Sequence, residues 1–270
     1  MASLDLWSPV LLYSVALFAA IYGISYQTLF RKWRGIKRYE AASCAVSIIH
    51  GTTITALAGY NAWQSPWDLA APNSATQNKI LEYSTAYFLV DLAHYLLVAP
   101  GDYLFVLHHI ATSSYMISCR YFVGHGALSA MAMVAVGEAT SPFQNIWTIC
   151  RMGRDISPAM KTVYERLSPF FTVIFTVFRV GLGPVLVFRI SKFYLSGAAD
   201  GVIPRLLVRC WMAKSALALV GSLVWVYKLW AGLIKFYASK KPGTKIRRAA
   251  KSFEVERKKQ LLNDEAVKEN

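Results

Sequence analysis

The 270 residues are 55% hydrophobic and only 16% charged, against about 25% charged in ordinary soluble domains, and the mean hydropathy is +0.36. That combination excludes a soluble globular enzyme and predicts an integral, multi-pass membrane protein. The 29 Lys and Arg outweigh 15 Asp and Glu, yet they cluster beside apolar segments instead of forming a basic domain, which excludes nucleic acid as the partner and points to anionic lipid headgroups.

A crossing helix needs about 20 mainly apolar residues, and seven runs meet that need: 9–30, 41–63, 80–100, 104–122, 124–149, 168–195 and 206–238. The expected fold is therefore all-α, a polytopic membrane helical bundle of about seven transmembrane helices. The first run follows "MASLDLWSP", which lacks a basic n-region, and reads as a signal-anchor instead of a cleaved leader. Behind it "RKWRGIKRYE" carries five bases and one acid, and "CRMGRDISPAMKTVYERL" and "KFYASKKPGTKIRRAAK" are also basic. If all seven runs cross, these three connections share the cytosolic side, which places the N terminus in the lumen and the C terminus in the cytosol. Arg205, Arg209 and Lys214 go against this pattern, since they begin the last run on the opposite side. The expected organisation is an N-terminal helix and basic loop at 1–36, a membrane domain at 37–240 and a charged cytosolic tail at 241–270 whose bases meet anionic headgroups. The cysteines, Cys44, Cys119, Cys150 and Cys210, have neither CxxC nor metal-ligand spacing, so neither a disulfide framework nor a metal site is expected.

Ionisable side chains within a bilayer are costly and mark function or mutual pairing. His50, Asp91, His94, His108, His109, Glu138 and Arg179 all fall inside apolar runs. At about 1.5 Å per residue, those from Asp91 to Arg179 lie roughly 6–17 Å in from the cytosolic ends. Asp91 and His94 share a helix face, as do His108 or His109 and Thr112. Glu138, Ser141 and Asn145 form a second such row in "GEATSPFQN". Pro142 there lacks the amide that would bond the Glu138 carbonyl, so a kink is expected. Gly181, Gly183 and Pro184 predict another distortion just past Arg179. His108, His109 and Glu138 are the candidate catalytic residues, on the reading that they line one lipid-accessible cavity. Asp91, His94, Thr112, Ser141, Asn145 and Arg179 are candidate ligand-binding residues, with Asp91, His94 and Arg179 as a supporting shell. Arg179 is expected to neutralise Glu138 or Asp91, while Arg120 and Arg189 are expected to snorkel. For His50 and Thr112 the reading is hydrogen-bonding between helices.

"SIIHG", "DLAHY", "LHHIATSSYMISCRYFVGHGAL" and "GEATSPFQN" together resemble the TLC-domain family, which includes the ceramide synthases and smaller lipid-homeostasis proteins. The resemblance covers about residues 37–240 and implies a six-helix core behind one preceding helix, a lipid-accessible cavity and residence in the endoplasmic reticulum or another endomembrane. Where the ceramide synthase signature has His-Asp and a second Asp, this chain has Gly137-Glu138 and Ser141, more like the small TLC-domain proteins. A lipid- or acyl-chain-handling role in lipid homeostasis is therefore expected, with membrane lipids as partners. The alternative is an acyl-CoA-dependent acyltransferase in which the histidine pair acts as base or acyl acceptor. No cofactor is expected, since acyl-CoA would enter as a substrate, and the oligomeric state stays open. A proton-coupled transporter using the same polar set is a third reading, disfavoured because no inverted repeat is visible.

Overall fold

In the computed structural model, residues 8–240 and residue 257 are described. The chain divides into two units, Met1–Val226 and Tyr227–Asn270. The expected tail at 241–270 lies, apart from residue 257, outside the described residues.

Among the described residues the named α-helices are, in order, α1 (Pro9–Gln27), α2 (Ile36–Gln64), α3 (Ala75–Val98), α4 (Tyr103–Ile117), α5 (Ala127–Glu138), α6 (Ser141–Gly153), α7 (Pro158–Thr176), α8 (Gly183–Leu195) and α9 (Arg205–Lys240). Two π-helical stretches, Ser118–Val123 and Val177–Leu182, continue α4 and join α7 to α8. Local chemistry sets several starts. Pro9 occupies the first turn of α1, where its missing amide costs nothing, and the Ser8 hydroxyl accepts from the Val10 amide. Ser74 and Gln77 form a reciprocal capping box on α3.

Among the described residues these pieces form seven helical rods, each overlapping one of the seven expected runs. Four are long and apolar enough to cross a membrane by length and composition alone: α1, α2, Pro158–Leu195 and Arg205–Ala238. The other three miss that criterion for reasons that bear on the site. α3 carries Glu82, Asp91 and His94, the α4 rod carries His108, His109 and Arg120, and the α5–α6 rod is broken at Ala139 and Thr140. The molecule is an all-α membrane helical bundle.

Within the first unit α1 packs on α2 and α3, α2 also on α3, α5 and α6, α3 on α4 and α5, α6 on α7, and α8 on α5. Phe18, Ile54, Leu81, Phe88, Met116 and Met131 fill the interior. Large apolar side chains also face outward, among them Leu97 (84% exposed) and Phe188 (67%). A soluble protein would bury or mask such a surface, whereas a bilayer favours it.

The α5–α6 break fits the missing amide of Pro142, and α2 reaches it through Gly51. A Cβ on Gly51 would meet the Ser141 Cβ at 2.9 Å and the Pro142 Cδ at 3.2 Å, so the absent side chain is what allows the approach. The second distortion, at Val177–Leu182, contains Arg179 and runs into Gly183 and Pro184. At one end of the bundle the 65–74 connection is fastened by side chains. Asn73 donates to the Cys119 carbonyl and accepts from the Ala127 amide, and Tyr194 donates to the Leu69 carbonyl.

Arg120 does not simply reach outward toward the interface. Its Nε donates to Glu82 Oε1 at 2.6 Å, and the Ser8 hydroxyl donates to the other carboxylate oxygen at 2.6 Å. The buried acid of α3 thereby ties down both the start of α1 and the end of the α4 rod.

Candidate functional site

A partly open cavity of about 120 Å³ lies among α4, α5, the second π-helical stretch, α8 and α9. Its wall is mainly apolar, with Phe88, Met116, Met133, Val134, Leu186 and Leu219 among the lining residues. His108, Thr112, Glu138, Arg179 and Lys214 supply its polar groups, together with Ser215, Ser222 and Tyr115.

The two adjacent histidines part company. His108 lines the cavity, its ring set edge-on against Phe88 and against His109. His109 points to α3, with Nε2 2.9 Å from Asp91 Oδ2, and Nδ1 2.8 Å from the Phe105 carbonyl oxygen. A carbonyl only accepts, so Nδ1 carries a proton. Asp91 and His109 form a close buried pair, with Ser43 donating to Asp91 Oδ1 at 2.5 Å. The Tyr87 hydroxyl, which donates to Ser47 at 3.0 Å, closes this cluster above the carboxylate.

His94 turns away from Asp91 toward α1, where Nδ1 meets the Tyr22 hydroxyl at 3.1 Å. Arg179 donates to the Gly137 carbonyl at 2.6 Å and leans over the Phe175 ring. It makes no carboxylate contact within 4 Å among the described residues, so the direct ion pair expected with Glu138 or Asp91 is absent. The Pro-induced break ends α5 at Glu138 and leaves the carbonyl next to it free for the guanidinium. Glu138 instead has His50 Nδ1 at 3.9 Å, longer than a hydrogen bond. His50 is fully buried, stacked on Tyr87 with 3.7 Å between ring centroids, and its Nε2 lies 3.0 Å from the Ser84 hydroxyl.

Of the candidate residues, His108, Thr112, Glu138 and Arg179 share the cavity wall. Asp91 and His109 form a buried pair beside it, and His94 stands with α1. Ser141 and Asn145 lie past the α5–α6 break, where Asn145 donates back to the Ser141 carbonyl, and neither lines the cavity. Lys214, Ser43 and Tyr87 belong to the polar interior although neither spacing nor motif singled them out as site residues. For Lys214 the signal was its awkward position, a base well inside the last apolar run. Among the described residues no group of three His, Cys, Asp or Glu side chains is placed to hold a metal ion.

Compared with known families, residues 40–231 match the TLC domain. A TLC domain-containing protein of Arabidopsis thaliana is 37% identical over 235 residues, covering 86% of this chain and 91% of that protein. No solved structure matches.

Proposed function

The chain belongs to the TLC-domain family, and from that premise we propose that it handles a lipid or acyl chain inside the bilayer, as part of lipid homeostasis in the endoplasmic reticulum or a related endomembrane. One observation carries this reading: an apolar, partly open cavity of about 120 Å³ whose polar groups include His108, Glu138 and Arg179. An acyl chain finds dispersion contacts along Met133, Leu186 and Leu219, and its polar group finds donors and acceptors that the hydrocarbon outside does not offer. Asp91 and His109 stand behind this wall and hold α3 and α4 in register, so that His108 on the next position faces inward. Lipid extracted from the purified protein and measured by mass spectrometry tests the reading. The expected result is one lipid class retained near one per protein and lost in Leu219→Trp, which fills the cavity. A folded protein that carries only bulk lipid in the proportions of its membrane defeats it.

A second reading, acyl transfer from acyl-CoA to a lipid amine or hydroxyl, is favoured by the exposure of the His108 ring to the cavity beside Glu138. The imidazole would take the proton of the attacking group, and the carboxylate would stabilise the imidazolium that forms. Incubation with mixed acyl-CoAs and lipid acceptors tests it. Released CoA and a new acylated product that vanish together in His108→Gln support transfer, whereas intact acyl-CoA leaves the binding role alone.

A further inference from the structure

Glu138, Arg179 and Lys214 are the fully charged residue types on the cavity wall, one acid against two bases. Other interior charges are matched inside the protein, Asp91 by His109 and Glu82 by Arg120. Arg179 lies alongside the Gly137–Glu138 end of α5. Lys214 differs: among the described residues no carboxylate lies within 4 Å of it, and its ammonium donates to the Ser114 hydroxyl at 2.8 Å. It stands nine residues past Arg205, where α9 begins, or about 14 Å along the helix axis. Ser114, six residues after His108, sits about 9 Å further along α4. Lys214 thus lines the same cavity about 9 Å further along α4 than His108. A base at such depth costs several kcal/mol unless it meets a counter-charge or water.

We propose that the occupant supplies that counter-charge: a single-chain anionic amphiphile seats a carboxylate or phosphate oxygen on Lys214, with its chain along Met133, Leu186 and Leu219. The inference rests on the reading that the cavity holds a lipid, and it names that lipid's class. Fatty-acid carboxylates and single-chain phosphates share the required chemistry, an anionic oxygen on one flexible tail. A charge-assisted hydrogen bond in a site of this kind supports about a ten- to hundredfold preference over a neutral head on the same chain.

The experiment uses the full-length protein in phosphatidylcholine nanodiscs with three probes of equal chain length: palmitate, hexadecyl phosphate and hexadecanol. Wild type is expected to retain at least one anion about tenfold or more over hexadecanol, and the better of the two anions identifies carboxylate or phosphate as the natural head. Lys214→Met should bring the preferred anion down to the level of hexadecanol, whose continued retention shows that the cavity is still formed. Lys214→Arg should keep the preference. Equal retention of all three probes by wild type, or an anion preference that survives Lys214→Met, overturns the anionic-head proposal while leaving the lipid-handling role intact. Retention of none of the three by wild type removes both.

Discussion

His108 and His109 are neighbours in sequence and opposites in surroundings, which makes them a sharp test of how single residues divide the work. Adjacent helical positions differ by about 100°, so one ring reaches Asp91 and the other the cavity. Removing one partner of a buried pair leaves the other uncompensated, at a typical cost of about 3–5 kcal/mol. Asp91→Asn and His109→Gln should therefore each lower the melting temperature strongly, and the double variant should lose much less than the sum of the two. A strictly additive double-mutant cycle would show that the 2.9 Å contact contributes nothing. His108→Gln should leave melting close to wild type and change lipid retention instead. The polar identities were legible in the sequence because charged and imidazole groups stand out in apolar runs. Which histidine faces which neighbour was not, since the choice depends on the rotation of α4 against α3. The same rotation sends His94 to Tyr22 on α1, so the three-residue spacing from Asp91 does not produce a contact between them.

At the scale of elements, the break between α5 and α6 and the π-helical stretch around Arg179 shape the cavity more than any straight helix does. Both were legible, from Pro142 in one case and from Gly181, Gly183 and Pro184 in the other. The partner of the first break was not legible, because nothing in "SIIHG" says which helix its glycine will meet. Gly51 lies where α2 crosses the break, and a Cβ there would press on Ser141 and Pro142 at 2.9 and 3.2 Å. Gly51→Val should force the two rods apart and destabilise the bundle by about 1–3 kcal/mol, as overpacking typically does. Thermal melting in detergent checks this, with Gly59→Val as a control. A Cβ on Gly59 has only the Ala135 Cβ near it, at 3.9 Å, so that variant should melt near wild type. Equal losses in the two variants would mean that the approach of α2 to the break is not tight.

For the whole molecule, if all seven rods cross, the number of crossings is odd and the expected topology places the two termini on opposite sides of the membrane, with the distribution of bases indicating which is which. In that expected topology five bases in 31–38 and four in 151–166 fall in connections on one side. The connections at 65–74 and 196–204 contain no Lys or Arg at all. Arg205, Arg209 and Lys214 weigh against this asymmetry when read from sequence alone, and their surroundings reduce the conflict. Arg205 bonds Asp200 through Nε at 2.6 Å, so the acid of its own connection balances it, and Lys214 belongs to the cavity. Arg209 is left as the unbalanced base on that side. The expected arrangement is then a lumenal N terminus and a cytosolic C terminus. Engineered N-glycosylation acceptors, one ahead of α1 on a short extension and one after residue 270, check it in microsomes. The N-terminal site should be modified and the C-terminal site should not. Glycosylation of the C-terminal site alone would invert the molecule, placing His108 nearer the lumen than Lys214. Acyl-CoA supplied from the cytosol would then have to reach His108 past Lys214, which would count against the transfer reading and leave the lipid-handling one standing.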